Sequence, residues 1–231
     1  MIRVRLIPLF FAIVLLTSCS SDDNTLVIDY TCEFPEYRYS KGEKDYISEL
    51  SENYLLVGVD TTYNENQIQS FLSTLEYLDQ EEPYFIPPEY GYMNYITLKF
   101  GDSKTCEEIT QIIAELEQSD VISFAHYTME PIGSCNTLAW DSDDGECVLS
   151  YLNTFYVIVF DENDLTDLHQ IVEETNTEII NQVHWNLAIF QLSATKTSLG
   201  DAWQMANYFY ETGLFYACGP YFEQFYVEEY F

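Results

Sequence analysis

The chain has 231 residues, 39 acidic against 8 basic, for a formal net charge of −31. That charge excludes nucleic acid as a partner, because a phosphate backbone would be repelled, and it disfavours an anionic membrane surface. Disorder is excluded by the rest of the composition: 47% of the residues are apolar and 35 are Tyr or Phe, enough buried surface to offset the entropy of ordering.

Residues 1–18 read as a secretory signal. Arg3 and Arg5 give a basic start, and the apolar run Leu6–Leu16, broken by Pro8, is shorter than the roughly 20 residues a bilayer span takes. Leu16-Thr-Ser-Cys19 matches the lipobox of bacterial lipoproteins, so cleavage before Cys19 and a lipid on its thiol are expected. Ser20 rather than Asp follows the cysteine, which favours the outer membrane. Cys19-Ser-Ser-Asp-Asp23 also resembles the acidic tethers of cell-surface lipoproteins. Cleavage removes two bases and no acid, leaving six bases against 39 acids, a net of −33. Residues 19–36 form the expected tether.

An aromatic hairpin opens the folded part, from Tyr37 to Ile47, turning at Lys41-Gly42. The pattern that follows occurs twice. Tyr54–Asp60 is an apolar strand, and Ile68, Phe71, Leu72 and Leu75 follow at the spacing of one buried helical face. Phe155–Phe160 with Leu168, Ile171 and Val172 repeat both at the same offset. Next, Tyr95–Phe100 matches Leu187–Leu192, and each runs into a Lys-Thr turn, Lys104-Thr105 or Lys196-Thr197. Thr105 with Glu108, and Ser198 with Asp201, have the spacing of a capping box. Helical stripes follow at Ile109, Ile112, Ile113, Leu116 and at Ala202, Met205, Ala206, Phe209, the second stopped by Gly213. Strands at Val121–Phe124 and Leu214–Ala217 close the copies.

With a second strand near Tyr84–Ile86, where Pro83, Pro87 and Pro88 interfere, or at Glu178–Val183, each copy reads strand–helix–strand–strand–helix–strand. The expected fold class is therefore α+β, two tandem ferredoxin-like βαββαβ units. The first unit, with its hairpin, covers 37–129. A linker rich in Gly, Asp and Ser covers 130–152, and the second unit with its tail covers 153–231. That tail, Phe222–Phe231, lies beyond the last expected strand. It either packs back as an extra strand or is offered to a partner groove by Phe222, Phe225, Tyr226, Tyr230 and Phe231.

With Cys19 lipidated, Cys32, Cys106, Cys135, Cys147 and Cys218 remain, an odd number, so at least one lacks a partner within the chain. Cys135 and Cys147 flank a polar stretch and are a candidate disulfide. No Cys-x-x-Cys occurs and no His lies at ligand spacing from a Cys, so no metal is expected. His126, His169 and His184 are scattered. With no Gly-x-Ser-x-Gly, Walker loop, His-Glu-x-x-His or Gly-x-Gly-x-x-Gly, no catalytic residue and no cofactor is nominated. The acidic runs Asp141–Glu146 and Asp161–Asp164 lack the oxygen spacing and glycine of an EF-hand, and read as a solvated loop and an acid-rich helix start.

Two segments carry a family resemblance: Tyr37-Arg-Tyr-Ser-Lys-Gly-Glu-Lys44, and Gly200-Asp-Ala-Trp-Gln-Met-Ala-Asn-Tyr-Phe-Tyr-Glu-Thr-Gly-Leu-Phe215 with Pro220 close behind. They resemble the N-terminal propeptide region of secreted subtilisin-like serine proteases and related lipoproteins of gut-type anaerobes, over nearly all of Cys32–Phe222. The resemblance implies a ferredoxin-like fold whose sheet packs on the enzyme and whose C-terminal tail lies product-like in the substrate cleft. The chain departs from that family in having no Asp-Thr-Gly, His-Gly-Thr or Gly-Thr-Ser segment. It also has Cys218-Gly-Pro-Tyr221 where the family tends to place an acid beside proline. The implied role is a non-enzymatic binder, inhibitor or folding helper of a subtilisin-like protease acting in trans. The alternative is a surface interaction or adhesion module on the same scaffold.

Overall fold

The structure, a computed structural model, describes residues 31–85, 95–131, 147–184 and 188–227. It is a mixed α+β fold in which four helices pack on a largely antiparallel sheet. The opening hairpin pairs β1 (Tyr37–Ser40) with β2 (Glu43–Tyr46) across Lys41 and Gly42, at φ of 51° and 88°. Two successive positive φ values give the turn whose twist matches its strands, and Gly42 adopts its value with no Cβ to strain.

In the first half, β3 (Leu50–Val59) is followed by α1 (Glu65–Leu72), β4 (Tyr84–Phe85), β5 (Tyr95–Lys99), α2 (Cys106–Leu116) and β6 (Ile122–Met129). The second half gives β7 (Cys147–Val159), α3 (Thr166–Thr175), β8 (Glu178–His184), β9 (Ile189–Ser193), α4 (Ala202–Glu211) and β10 (Phe215–Tyr226). The strand order is β4-β5-β3-β6 in the first half and β8-β9-β7-β10 in the second, with every pairing antiparallel. The sequence duplication is thus matched by a duplication of the hydrogen-bond ladders.

Local chemistry starts the helices. Asn64 with Gln67 forms a capping box on α1, and Thr105 with Glu108 forms the expected one on α2. On α4 the box sits three residues later than the spacing predicts. Asp201 is the N-cap, with Gln204 as the return partner, while Ser198 Oγ donates to the Asn176 carbonyl. Asp is itself a strong cap, and the apolar stripe begins directly after it. Gly213, at φ 72°, follows the end of α4 as expected.

The expected linker is shorter than predicted. β7 begins at Cys147, and Thr128↔Ser150 and Met129↔Leu149 pair β6 with β7. The stretch 147–152 therefore belongs to the second half's longest strand. Each half buries one sheet face under its helices, with Leu55, Val57, Leu98, Ile109 and Leu116 in the first and Phe155, Val157, Leu192, Met205 and Phe209 in the second. Two further clusters join the halves. Tyr54, Leu56 and Phe124 pack with Val148, Phe225 and Val227, and Met129 packs with Tyr151 and Trp203. Gly58 is required at that first joint, because any side chain there would collide with the Phe124 ring.

Cys32 and Cys106 form a disulfide across a sequence separation of 74, tying the N-terminal segment to the start of α2. No spacing rule pointed to it. Cys147 is also disulfide-bonded; its expected partner, Cys135, lies outside the described residues. Cys218 is free and buried, and burial pushes its thiol pKa up, so it is held as the unreactive thiol. Replacing both Cys32 and Cys106 by Ser should cost about 4 kcal/mol, the unfolded-state loop entropy released by a cross-link of this span. Urea unfolding of the double variant against the parent measures it, and a loss below about 1 kcal/mol would show that the bridge is ornamental.

Candidate functional site

The two segments that carry the family resemblance meet in space. The hairpin, expected to accompany the first half, instead lies on α4 of the second. The Tyr37 carbonyl accepts from Trp203 Nε1 at 2.7 Å and from Asn207 Nδ2 at 2.8 Å. Tyr39 stacks on Tyr210 at 4.4 Å, and its hydroxyl donates to Glu211 at 2.8 Å, a bond that pushes the phenol pKa up to about 12. Arg38 pairs with Asp45 and stands over the Phe222 ring, while Lys44 stands over Tyr37 at 3.6 Å. Hairpin and helix motif are therefore two sides of one clamp, which explains their pairing as structure before any functional role.

The tail takes the first of its two readings. β10 continues past Ala217, with Phe222↔Tyr151, Phe225↔Val148 and Tyr226↔Cys147 in register along β7. Phe222 is half-buried against Trp203 at 5.0 Å, and Phe225 is 1% exposed in the cluster that joins the halves. Phe225 is thus a core position, and Phe222 packs against the joint instead of standing free on an extended tail. The physical reason is that the first half's helix-free face would otherwise expose Leu56 and Phe124. Tyr226 is held in the ladder by its backbone, and Tyr230 and Phe231 lie outside the described residues, as does Cys19. Phe225→Ala should cost about 3–5 kcal/mol as a core cavity, read as a drop in the urea midpoint. A loss under about 1 kcal/mol would return the tail to the list of exposed segments.

Between the halves, β6 diverges from β7 and leaves a cleft of about 290 Å³, walled by α2, β6, the β9–α4 loop and the start of α4. Its polar groups bond to one another. Asp201 accepts from the Tyr151 hydroxyl at 2.7 Å and from the Gln204 amide at 2.8 Å. Thr110 Oγ1 donates to the Cys106 carbonyl, so the Tyr127 hydroxyl, 2.6 Å away, donates to Thr110; burial pushes the Tyr127 pKa up to about 12. Lys196 Nζ donates to the Ser119 carbonyl at 2.6 Å, bridging the halves. Glu117, at the C-terminal end of α2, has its pKa raised first by burial and then by Asp201, against the Ala125 amide and Lys196, which lower it.

His126 forms the back wall. It is 2% exposed, stacks on Tyr151 at 4.3 Å, and lies 2.8 Å from the Tyr151 carbonyl through Nδ1. A carbonyl only accepts, so Nδ1 carries the proton. Burial lowers the pKa below the ordinary 6.5, with Asp201 and the Tyr151 carbonyl opposing. A depressed folded pKa means that the stability it contributes is complete above the unfolded value of 6.5 and is lost as pH falls from there toward the folded value. Urea unfolding at about pH 7 and pH 5 should show a smaller acid-induced loss in His126→Gln than in the parent. Equal losses would remove His126 as the titrating group.

The other expectations fall elsewhere. His169 is exposed on α3, and His184 ends β8. Asp161 accepts from the Asn163 amide and Asp164 from the Thr166 amide, the turn and helix start expected of that acidic run. Residues 141–146 lie outside the described residues, among which no group of His, Cys, Asp and Glu is arranged to hold a metal. No described helix is long and apolar enough to cross a membrane.

Sequence reasoning missed the helix-free face of the second half. Strand alternation puts Tyr156 and Ile158 of β7, Ile189 of β9 and Tyr221 of β10 there, all half-buried, with Tyr156 edge-on to Tyr221 at 5.8 Å. Phe160 and Tyr216 stand at its end, 69% and 68% exposed. The alternating pattern of Phe155–Phe160 was the available signal, since both sets of alternate positions are apolar or aromatic. Comparison with protein families, curated proteins and solved structures finds no match to this chain.

Proposed function

We propose that this chain is a lipid-anchored, non-enzymatic binding protein of the outer membrane or cell surface, whose partner is a subtilisin-like protease met in trans, as a detached propeptide would meet it. The strand orders β4-β5-β3-β6 and β8-β9-β7-β10 are each the order of a ferredoxin-like sandwich, the fold the resemblance implies. The observation that carries the reading is the apolar face of the second half opposite α3 and α4, where no helix among the described residues lies over Tyr156, Ile158 and Ile189. A propeptide sheet packs on its enzyme by such a face. The tail does not serve as the product-like segment through Tyr226, because the β7 ladder holds it, so the binding role moves from tail to face. That same loss favours the second reading, a surface interaction or adhesion module that uses the face without a substrate-like peptide.

The test uses the full chain with Cys19→Ser and the isolated catalytic domain of a subtilisin-like protease. Inhibition that saturates, and weakens at least tenfold (about 1.4 kcal/mol) in Tyr156→Asp/Ile158→Asp, is the expected result. No binding at about 10 μM, roughly 7 kcal/mol, would leave the adhesion reading in its place.

A further inference from the structure

We infer that Phe160, Tyr216 and Leu214 form a docking surface for a protein partner whose contact patch has an apolar centre and a rim of Lys and Arg. The inference deepens the proposed binding role by naming the partner's surface chemistry.

Phe160 follows β7 directly, and Tyr216 occupies the irregularity in β10 where the register shifts between Phe215 and Ala217. That shift turns Tyr216 outward beside Phe160, their rings edge-to-face at 6.2 Å. Leu214, 38% exposed, lies two residues before Tyr216 in the chain. One exposed apolar side chain needs no explanation, whereas two aromatic rings in contact and open to water are the composition of an interface centre. The neighbouring paired positions, Ile158 with Ala217 and with Ile189, extend the apolar surface inward along the sheet.

The surroundings decide the occupant. Asp161, Glu162 and Asp164 follow Phe160 immediately. Hydrogen bonds from Asn163 and Thr166 lower the pKa of Asp161 and Asp164, so both are charged at neutral pH. Residues 147–231 hold 12 acids and a single base, Lys196, whose ammonium is bonded to the Ser119 carbonyl at the inter-half cleft. The one base of this half is thus engaged at the cleft, and Arg38 of the hairpin, which acts electrostatically on Tyr156, is itself paired with Asp45. A second copy would bring the same acids to face these, and an anionic bilayer would be repelled as well. A partner with a basic rim is drawn in by the same field, which raises its encounter rate and disappears with salt.

The probe is an amphipathic helical peptide of Leu and Lys, with a twin carrying Glu in place of Lys, titrated against the isotope-labelled full chain with Cys19→Ser. The Lys peptide should shift the amides of 158–162 and 214–217, and bind at least tenfold more weakly after Phe160→Ser/Tyr216→Ser. Salt raised from roughly 50 to 500 mM should weaken it several-fold, and the Glu twin should not bind. Both replaced side chains are exposed, so an unchanged amide spectrum certifies the fold. Equal binding by the double variant, shifts centred on the cleft or hairpin, or equal binding of the twin would each overturn the inference. Self-association or vesicle binding that depends on Phe160 would overturn it in favour of a second copy or a membrane. The titration needs no protease, so its failure and a failure of the protease reading are separate results.

Discussion

Along one edge, β7 bonds to β10 from Cys147 to Val159; along the other it bonds first to β6 at Leu149 and Ser150 and then to β9 from Thr154 to Ile158. One strand of 13 residues therefore closes the second half's sheet and also fastens it to the first. β7 can serve both because its inward positions divide. Tyr151 packs with Met129 and Trp203 at the joint, while Phe155, Val157 and Val159 pack under α3 and α4. On its other face Val148 joins Leu56 and Phe124 of the first half, together with Phe225 from β10. The cleft follows from the same constraint. β6 and β7 share only two register pairs, then separate, and the gap between them is where Glu117, His126, Asp201 and Lys196 collect.

The N-terminal segment adds a second fastening. The Cys32–Cys106 bridge fixes it to α2 of the first half, and the Tyr37 carbonyl, held by Trp203 and Asn207, fixes it to α4 of the second. Phe34, between these two points, lies edge-on to both Tyr127 and Trp203. The segment next to the expected lipid anchor is thus a strap across both halves. Under the proposed lipidation of Cys19, a pull from that side would load the joint through the disulfide and these part-buried hydrogen bonds.

Much of this was legible in the sequence because it is local. The Lys41-Gly42 turn, the cap at Thr105 and the helical stripes all depend on residues a few positions apart. The repeated element order followed from them. What was not legible is long-range. The Gly, Asp and Ser content of 130–152 made it look like linker, yet Ser150 Oγ donates to the Tyr127 carbonyl in the core, so the polarity of that residue belongs to the joint. The last strand was expected to end at Ala217, with Gly219 and Pro220 beyond it. β10, however, pairs only with β7 among the described residues, so proline's missing donor faces an unpaired edge, and the register shift beside it absorbs the irregularity. Neither the Cys32–Cys106 bridge nor the cleft leaves any trace in spacing, since their members come from distant segments.

Charge distribution connects fold to function. The six basic residues after residue 18 are few enough to follow individually, and four of them are engaged within the protein. Arg38 pairs with Asp45, Lys44 covers Tyr37, Lys99 pairs with Glu82, and Lys196 bonds to Ser119. Three of those four lie in the hairpin or in the first half. Arg38 and Lys44 stand with the hairpin against α4 and Lys196 stands at the cleft, whereas the segment that follows Phe160 supplies Asp161, Glu162 and Asp164 and no base. Under the proposed binding role, an apolar surface so bordered would resist association with copies of itself and with anionic lipid while remaining open to a basic protein. Solubility and partner choice are then two effects of one charge pattern, and neither requires the aromatic tail to leave the core.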